Sequence, residues 1–292
     1  MTARGIFVGL STIDVIYGVD CFPASNAKIV ARDQDVFIGG PATNAAITFS
    51  LLGGKPVLVS AVGDHRLAGL IRGELREHSV RLIDLNPDFH EAPVISSVSV
   101  DKSGNRNVVS ANAARVPAPD VEVDLKAFDH ARVVLIDGHY MKACQTWARA
   151  ARSRGVSVVL DGGSWKDGTD RVLSSVDTVI CSSDFLPPGC KNESDVFDYL
   201  RAKHVKKIAM TRGADPVLFS FGSSAGTVRV PRVKAIDTMG AGDIFHGAFC
   251  YFTVRGHAFD SALTEAAKIA AESCRFRGTR AWAESLRSTQ TH

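Results

Sequence analysis

One short segment, DTMGAGDIFHGAF at 237–249, carries two acids and two glycines ahead of an apolar stretch. Glycines let backbone amides approach a ligand closely. A helix start presents unpaired N–H groups and a partial positive charge, which suits an anion. Asp243 at that start either caps the helix or takes a proton from a group held beside the anion. In the second case the segment suits phosphoryl transfer, in which an enzyme mainly positions the reactants and neutralises charge.

The elements around this segment alternate between strands and helices. The apolar runs of strand length end in small or acidic residues and are GIFVGL (5–10), PVLVSAVG (56–63), RVVLIDG (132–138), VSVVLDGG (156–163), DTVICS (177–182) and KKIAMTRG (206–213). Helix candidates such as PATNAAITFSLLGG (41–54) lie between them, and VKAIDT (233–238) is predicted to end a strand ahead of the glycines. This alternation predicts an α/β core with a mostly parallel sheet, where ligands bind beyond the carboxyl ends of the strands. The acids at the strand ends are therefore of interest.

Two regions break the alternation. Residues 12–38 have the pattern of strand, turn and strand, and residues 91–113 have the pattern of a hairpin turning at KSGN. We expect the four extended segments to form a small sheet, a β-lid, over the open end of the core. The core then comprises residues 1–11, 39–90 and 114–292.

Composition narrows the function class. The chain has 292 residues and a net charge of +3, so nothing indicates binding to nucleic acid or to an acidic membrane surface. Its six cysteines form no C-x-x-C pair, its nine histidines show no metal-ligand spacing, and no apolar run reaches membrane-spanning length. The start, MTARGIFVGLSTID, lacks the apolar region of a secretory signal. We expect a cytoplasmic protein.

Two motifs resemble those of a known family. DTMGAGD is similar to the second signature of the PfkB, or ribokinase-like, carbohydrate kinases, D-T-x-G-A-G-D, at every fixed position. GGPATNAAITFSLLGG resembles the first signature, and the likeness runs from VGLSTIDVIYGVD to CRFRGTRA, nearly the whole chain. The resemblance implies a ribokinase-like three-layer α/β/α core with a small β-sheet lid. It also implies ATP-dependent phosphorylation of a hydroxymethyl group of a small sugar.

The resemblance assigns the catalytic roles by position. Asp243 would be the base that takes the proton of the acceptor hydroxyl, which is a very weak acid and must lose that proton as the new bond forms. The anion hole for the transferred group would consist of the amides of Gly240, Ala241 and Gly242.

On the sugar side, the resemblance makes Asp14 the carboxylate that accepts hydrogen bonds from two sugar hydroxyls. The backbone at Gly39 and Gly40 would lie against the sugar, and Asn44 would both donate and accept. A lone cation in a lid is more often solvated than functional. Even so, the candidates for an anionic part of the sugar or of ATP are Lys28 and Arg106.

On the nucleotide side, the resemblance implies contacts from four short segments. The candidates are Ser182, Thr211, Gly213, Asp237, Thr238, Cys274 and Gly278. Asp237 is also the candidate for holding a monovalent cation such as K⁺. The family's further glycine after T-x-G is replaced by Pro216, and the segment at 274–278 is expected to pass the adenine through apolar and backbone contact.

One departure from the family pattern concerns the metal. Many members carry N-x-x-E, whose Glu orients Mg²⁺ through water, whereas this chain reads CSSDFLPPG. Ser182 or Ser183 replaces the Asn and Phe185 stands near the place of the Glu, so Asp184 is the candidate that compensates. Ketohexokinase-like and some sulfosugar-kinase-like branches of the family also depart from the N-x-x-E pattern at this segment. This shared departure favours a ketose-type substrate.

Several alternatives stay open. A nucleoside kinase of the same fold would need a clamp for the base, for which Phe22 and Phe37 are the candidates. A non-catalytic sugar or nucleotide sensor would lack the base, and Asp243 is present. A nicotinamide-dependent dehydrogenase would need G-x-G-x-x-G after the first strand, which VGLSTID does not supply. A homodimer through the outer face of the β-lid is expected because a small sheet leaves its edges open.

Overall fold

A nine-stranded sheet forms the centre of the molecule. The computed structural model describes residues 3–119 and 122–289, with the side chains of 114 and 286–289 left aside. The strands of this sheet are β1 (Arg4–Val8), β4 (Lys55–Ser60), β5 (Arg81–Asp84), β8 (Val133–Ile136), β9 (Ser157–Gly162), β10 (Thr178–Ser182), β11 (Lys207–Arg212), β12 (Asp215–Phe221) and β13 (Ser224–Val228). They lie in the order β13-β12-β11-β10-β9-β8-β1-β4-β5. The strands from β11 to β5 are parallel, and β12 and β13 add an antiparallel edge.

Helices cover both faces of this sheet. They are α1 (Pro41–Leu51), α2 (Ala68–Glu77), α3 (Met141–Ser153), α4 (Thr169–Val172), α5 (Glu193–Ala202), α6 (Ala241–Val254), α7 (Phe259–Ser273) and α8 (Trp282–Thr289). One core joins α1, α2, α6, α7 and α8 to the sheet through residues such as Phe49, Phe249 and Trp282. The other joins α3 and α5 to the opposite face. The central strands β1, β8, β9 and β10 are almost entirely buried on both sides, as their near-continuous apolar runs predict. The three-layer α/β/α fold predicted from the sequence is present.

A second, smaller sheet is formed by β2 (Thr12–Gly18), β3 (Asp33–Gly39), β6 (Ile95–Val100) and β7 (Arg106–Ser110), in the order β3-β2-β6-β7. Its strands fall inside the two regions that break the alternation, except that β3 runs one residue further, to Gly39, which the sequence pattern assigned to the core. Because side chains alternate across a strand, Asp14 and Arg106 point to one face. Val36 and Val109 point to the other face and are exposed. The homodimer through this outer face stays a prediction, which light scattering would test.

One predicted strand is absent. The segment 233–238 forms no regular strand, and the backbone N–H groups of Ile236 and Asp237 instead donate to the Cys274 carbonyl at 2.7 and 3.2 Å. Ala235 and Ile236 are exposed, so the segment has no neighbouring strand to complete its hydrogen bonds. It runs across the sheet edge as an extended connection that delivers the chain to α6.

No helix in the part of the chain that the structure describes is long and apolar enough to cross a membrane. All six cysteines carry free thiols, and three of them, Cys144, Cys181 and Cys250, are buried in the cores. Cysteine therefore contributes to this fold as a small apolar side chain.

Helix α1 packs directly against α6, the helix that follows the glycine segment. Gly247 lies where a Cβ would overlap the backbone oxygen of Ala45 and come within 2.8 Å of Thr48 Cβ. Backbone atoms cannot yield as a flexible side chain does. The absence of a side chain at Gly247 thus sets the distance between the two helices.

We expect Gly247→Ala to lower the free energy of unfolding by about 1–3 kcal/mol, because it overpacks this contact. Gly73→Ala is the matched control, since Gly73 lies inside α2 with nothing within 4 Å of its Cβ position. That control should be neutral or stabilising by up to about 1 kcal/mol through helix propensity. Urea denaturation measures both variants, and equal effects would contradict the packing role of Gly247.

Candidate active site

The glycine segment forms a tight turn into α6. Gly240 has a φ of +66° and is the residue that precedes the helix. The left-handed conformation suits glycine because it has no Cβ. Ala241 N–H makes a long 3.3 Å bond to Thr238 O, and Ile244 N–H donates to Gly240 O at 2.8 Å. A Cβ on Gly242 would meet nothing within 4 Å. The first turn of α6 is therefore open toward solvent, with its N–H groups facing outward.

Asp243 lies in this first turn beside other ionisable groups. Its Oδ2 accepts a hydrogen bond from Asn44 Nδ2 at 2.7 Å. Burial, followed by the negative charge of Asp161, raises the pKa of the Asp243 carboxyl from 3.8 to about 7, although Asn44 and His246 oppose the shift. A carboxyl with a pKa near neutrality is suited to accept a proton in a catalytic step.

Two of the strand-end acids lie behind Asp243. Asp161, at the end of β9, is 7% exposed, and its Oδ2 lies 3.5 Å from His246 Nδ1. Burial raises the pKa of the Asp161 carboxyl, and His246 lowers it to a smaller extent. His246 also contacts the Gly242 and Ile180 carbonyls, at 2.7 and 3.1 Å. Through these contacts, Asp161 and His246 together hold the first turn of α6 against the sheet.

Asp137 is the other strand-end acid, after β8, and is 2% exposed. Its carboxylate accepts hydrogen bonds from the backbone N–H groups of Leu10 at 2.8 Å, Ala42 at 3.2 Å and His139 at 2.9 Å. Ala42 belongs to the first turn of α1, where N–H groups have no partner within the helix. Asp137 therefore ties the start of α1, and with it Asn44, to the end of β1. The sequence pattern drew attention to this acid without assigning it a contact.

Arg280 is the site residue that sequence reasoning missed. Its guanidinium donates to Asn44 Oδ1 at 2.9 Å, to Glu74 Oε1 at 2.8 Å and to Ile38 O at 2.8 Å. The side chain is 16% exposed. Arg280 lies in the segment CRFRGTRA, which the family resemblance includes but whose motif does not specify an arginine.

A cavity of about 430 Å³ lies between the β-lid and the start of α6. Asp14, on β2, faces it from the lid, and burial raises the pKa of the Asp14 carboxyl despite the lowering effects of Thr12, Ser96 and Arg280. A Cβ on Gly39 would overlap Asp14 Oδ2, so glycine at this position leaves room for the carboxylate. The cavity lining includes Thr12, Asp14, Gly40, Asn44, Ser96, Val108, Ser110, Asn112, His139, Met239, Gly240 and Asp243.

A second cavity, of about 500 Å³, lies on the other side of the same turn. We name it the nucleotide-side cavity, and the cavity beside the β-lid the sugar-side cavity, after the sequence candidates that line each of them. Its walls are mainly apolar, and Ala241, Gly242 and Thr238 close one end. The sequence candidates Thr211, Gly213 and Cys274 line it, and Gly278 does not. Gly278 instead donates its N–H to Asp237 Oδ2 at 3.0 Å. The remaining lining includes Val217, Val230, Pro231, Arg232, Val233, Phe245, Ala267, Ala270 and Ala271.

Asp237 has its carboxylate oxygens already engaged. Oδ1 accepts from Arg106 at 3.0 Å and from Met239 N–H at 2.9 Å, and Oδ2 accepts from Gly278 N–H. Arg106 also donates to Thr238 Oγ1 at 3.0 Å. A guanidinium therefore occupies the position of a counter-ion, so the donor set around Asp237 does not fit a site for K⁺. Arg106 lies on the nucleotide side of the lid and not among the residues that line the sugar-side cavity.

In the segment that replaces N-x-x-E, Phe185 is buried, whereas Ser183 and Asp184 are exposed. Phe185 is 1% exposed and packs edge to face on Trp165, with ring centroids 5.4 Å apart. Ser182 Oγ donates to Gly163 O at 2.7 Å and accepts from Asp184 N–H. Asp184 is exposed at the carboxyl end of β10. Phe185 belongs to the core, and Asp184 is the exposed acid of this segment, although it lines neither of the two cavities.

Three other candidates lie apart from both cavities. Lys28 is exposed in the connection between β2 and β3, and Phe22 in the same connection is half-buried. The ring of Phe37 packs on Gly278, where a Cβ would come within 2.6 Å of it. In the part of the chain that the structure describes, none of the three lines the sugar-side or the nucleotide-side cavity. The predicted aromatic clamp for a base is therefore not assembled here.

Comparison with known proteins agrees with this geometry. Ribokinase of Haemophilus influenzae is 22% identical over 271 residues, covering 88% of this chain and 87% of that protein. Aminoimidazole riboside kinase of Salmonella typhimurium is 24% identical over 272 residues, covering 86% of this chain and 85% of that protein. The structure of Arabidopsis thaliana ribokinase complexed with ribose and ATP has a TM-score of 0.80 at 19% identity, covering 100% of both chains. The fold of this chain is thus a ribokinase fold.

The family itself follows from a match along almost the whole sequence. The model described as pfkB family carbohydrate kinase matches residues 4–285, which include both signature motifs and both cavities. The prediction of an ATP-dependent sugar kinase is confirmed at the level of the family, and the chain belongs to the pfkB family of carbohydrate kinases.

Proposed function

We propose that this chain transfers the terminal phosphoryl group of ATP to a hydroxymethyl group of a small neutral sugar, with Asp243 as the base. One observation carries the proposal. The turn at 238–243 is a wall of both cavities, with Gly240 and Asp243 on the sugar side and Ala241 and Gly242 on the nucleotide side. A phosphoryl group bound at this turn would face both substrates.

The roles follow from the contacts of each residue. Asp243 takes the proton of the acceptor hydroxyl as the phosphorus–oxygen bond forms, because the alcohol is too weak an acid to ionise beforehand. The N–H groups at Gly240, Ala241 and Gly242 receive the charge that develops on the transferred group. Asp14 accepts hydrogen bonds from sugar hydroxyls on the lid side. Asn44 acts on the base and keeps only part of its capacity for the sugar, because both ends of its amide are engaged.

The charge around the sugar-side cavity supports a neutral acceptor. Asp14 and Asp243 face the cavity together with hydroxyl groups, and no lysine or arginine is among its described lining residues. Two carboxylates would repel the anionic group of a sugar acid or a sulfosugar. Lys28 and Arg106, the candidates for binding such a group, lie elsewhere.

Within neutral sugars, the ketose-type acceptor predicted from the motif departure at Phe185 is one candidate. The names of the relatives favour a second, since ribokinase and aminoimidazole riboside kinase both refer to ribose-type sugars. The absence of an assembled clamp from Phe22 and Phe37 speaks against a large base. Measuring ADP release over ketoses, pentoses, sugar acids and nucleosides separates these candidates. Turnover confined to sugar acids would contradict the neutral acceptor.

Mg²⁺ is the expected metal, since ATP phosphates need a divalent cation to neutralise them. Mg²⁺ is usually held by one or two carboxylates together with phosphates and waters, and Asp184 can supply one. In the described part of the chain no cluster of three or more His, Cys, Asp or Glu residues is arranged to hold a metal by itself. The phosphates would therefore provide most of the ligands.

We expect Asp243→Asn to lower turnover by about a hundred- to ten-thousand-fold and to leave ATP affinity near the wild-type value. Asparagine keeps the size of the side chain and can still accept from Asn44, but it cannot take a proton. Steady-state kinetics and calorimetric titration with ATP measure the two effects. Near-native turnover would show that Asp243 is only a helix cap.

The same variant should be more stable than the wild type at high pH. The folded-state pKa of Asp243 lies above its unfolded value, so the folded protein holds the proton between about pH 4 and 7 and loses stability as pH rises through that range. Since Asp243 lines an open cavity, we expect Asp243→Asn to gain about 1–2 kcal/mol above pH 7 and nothing below pH 4. Denaturation at several pH values measures this difference. The exposed Asp88→Asn is the control, and an equal gain there would contradict the burial of Asp243.

Asp184→Ala should raise the Mg²⁺ concentration needed for half-maximal activity by several-fold, because the metal loses a carboxylate partner. Asp88→Ala, which removes an exposed acid from a different surface, should leave the titration unchanged. An Mg²⁺ titration at fixed ATP compares the two variants. Identical curves for Asp184→Ala and the wild type would remove Asp184 from the metal site.

A further inference from the structure

We propose that Arg280 is a positioning residue for the catalytic base, acting through the side-chain amide of Asn44. The inference rests on the proposed function of Asp243. Arg280 does not line the sugar-side cavity, and its effect on the reaction is transmitted by Asn44, which contacts both groups.

The guanidinium is held in place from several directions. Its Nε donates to Glu74 Oε1 on α2 at 2.8 Å, and one terminal nitrogen donates to Ile38 O on β3 at 2.8 Å. The other terminal nitrogen donates to Asn44 Oδ1 at 2.9 Å and to Thr279 Oγ1 at 2.6 Å. A planar group with this many fixed acceptors has little freedom to move. Arg280 therefore presents a donor to Asn44 at a fixed point.

That donor selects the orientation of the amide. An asparagine side chain has an oxygen that accepts and a nitrogen that donates. With Oδ1 directed at Arg280, Nδ2 is directed at Asp243 Oδ2, 2.7 Å away. The flipped amide would place Nδ2 against the guanidinium and Oδ1 against the carboxylate, so both contacts would be repulsive. Arg280 thus ensures that Asp243, which lines the cavity, receives a hydrogen bond from Asn44 on Oδ2.

The charge of Arg280 adds a second effect. Asp243 faces the acids Asp161 and Asp137 from the strand ends and the imidazole of His246 from its own helix. The guanidinium interacts electrostatically with Asp243, with Asp14 on the lid and with Glu74 on α2. It therefore offsets part of the negative charge that would otherwise favour the protonated, inactive form of the base.

A double-mutant cycle on Arg280→Met and Asn44→Ala tests the proposal. We expect each single variant to lower kcat by about ten- to a hundredfold. At a pH well above the acid limb, where Asp243 is ionised with or without the charge of Arg280, we also expect the double variant to be no slower than Asn44→Ala alone, because residues that act through one another are not additive. Multiplied effects in the double variant would overturn the proposal. Arg201→Met is the matched control, since Arg201 pairs with Asp198 on the exposed face of α5 and lines neither cavity, and its kcat should not change.

The pH profile of kcat/KM supplies a readout that a purely structural role would not move. In Arg280→Met the acid limb should move to higher pH by about half a unit to one unit, because the carboxylate loses a nearby positive charge. Arg280→Lys should restore the position of the limb but only part of kcat, since lysine keeps the charge without the fixed fork. If the acid limb of the kcat/KM profile does not shift in Arg280→Met, the proposed effect of the Arg280 charge on Asp243 is overturned.

Folding is checked by thermal unfolding and by ATP affinity. If Arg280→Met does not fold, Arg280→Lys takes its place in the cycle with Asn44→Ala, and additivity there would overturn the proposal. The failure of the proposed function has a different signature, which is an active Asp243→Asn variant. An inactive Asp243→Asn combined with additive Arg280 and Asn44 effects would reject the role of Arg280 alone.

Discussion

The 2.7 Å hydrogen bond between Asn44 and Asp243 joins two helices whose residues are 199 positions apart in sequence. It can form only if α1 and α6 approach closely, which Gly247 permits by carrying no side chain. The bond also requires the first turn of α1 to be held in place, and the Asp137 carboxylate does this by accepting a hydrogen bond from Ala42 N–H. The position of the base is therefore a property of the packed core as well as of the glycine motif that surrounds it.

The same core concentrates negative charge. Asp137, Asp161 and Asp243 meet where β8, β9 and α6 come together, and each raises the cost of ionising the next. A protein selected for stability alone would gain by neutralising one of them. In this site burial, followed by the crowding of acids, raises the pKa of Asp243 towards neutrality, where a base is most effective. The three acids therefore lower the stability of the fold at the same position where they support the proposed chemistry.

The sequence predicted the alternation of strands and helices, the small second sheet and the glycine segment, because each depends on local periodicity or on a short motif. It also drew attention to Asp137 and Asp161 through their places at strand ends. Arg280 was missed, since a long side chain that bonds Asn44 from 236 residues away leaves no local pattern. The edge strands β12 and β13 were missed too. The 233–238 segment was misassigned because its composition resembles a strand, whereas pairing depends on neighbours that only the tertiary structure supplies.

The lid takes part in both halves of the site through one face. Asp14 on β2 lines the sugar-side cavity, and Arg106 on β7 bonds Asp237 and Thr238 beside the nucleotide-side cavity. Arg280 ties the end of β3 to the base through Ile38 O and Asn44. Displacing this small sheet would open the cavity that Asp14 lines and break the hydrogen bonds beside the 238–243 turn and behind Asp243 together. Because these contacts depend on one element, the small sheet links the two cavities without needing a contact between their occupants, and under the proposed function exclusion of water from the transferred group would follow from the same position.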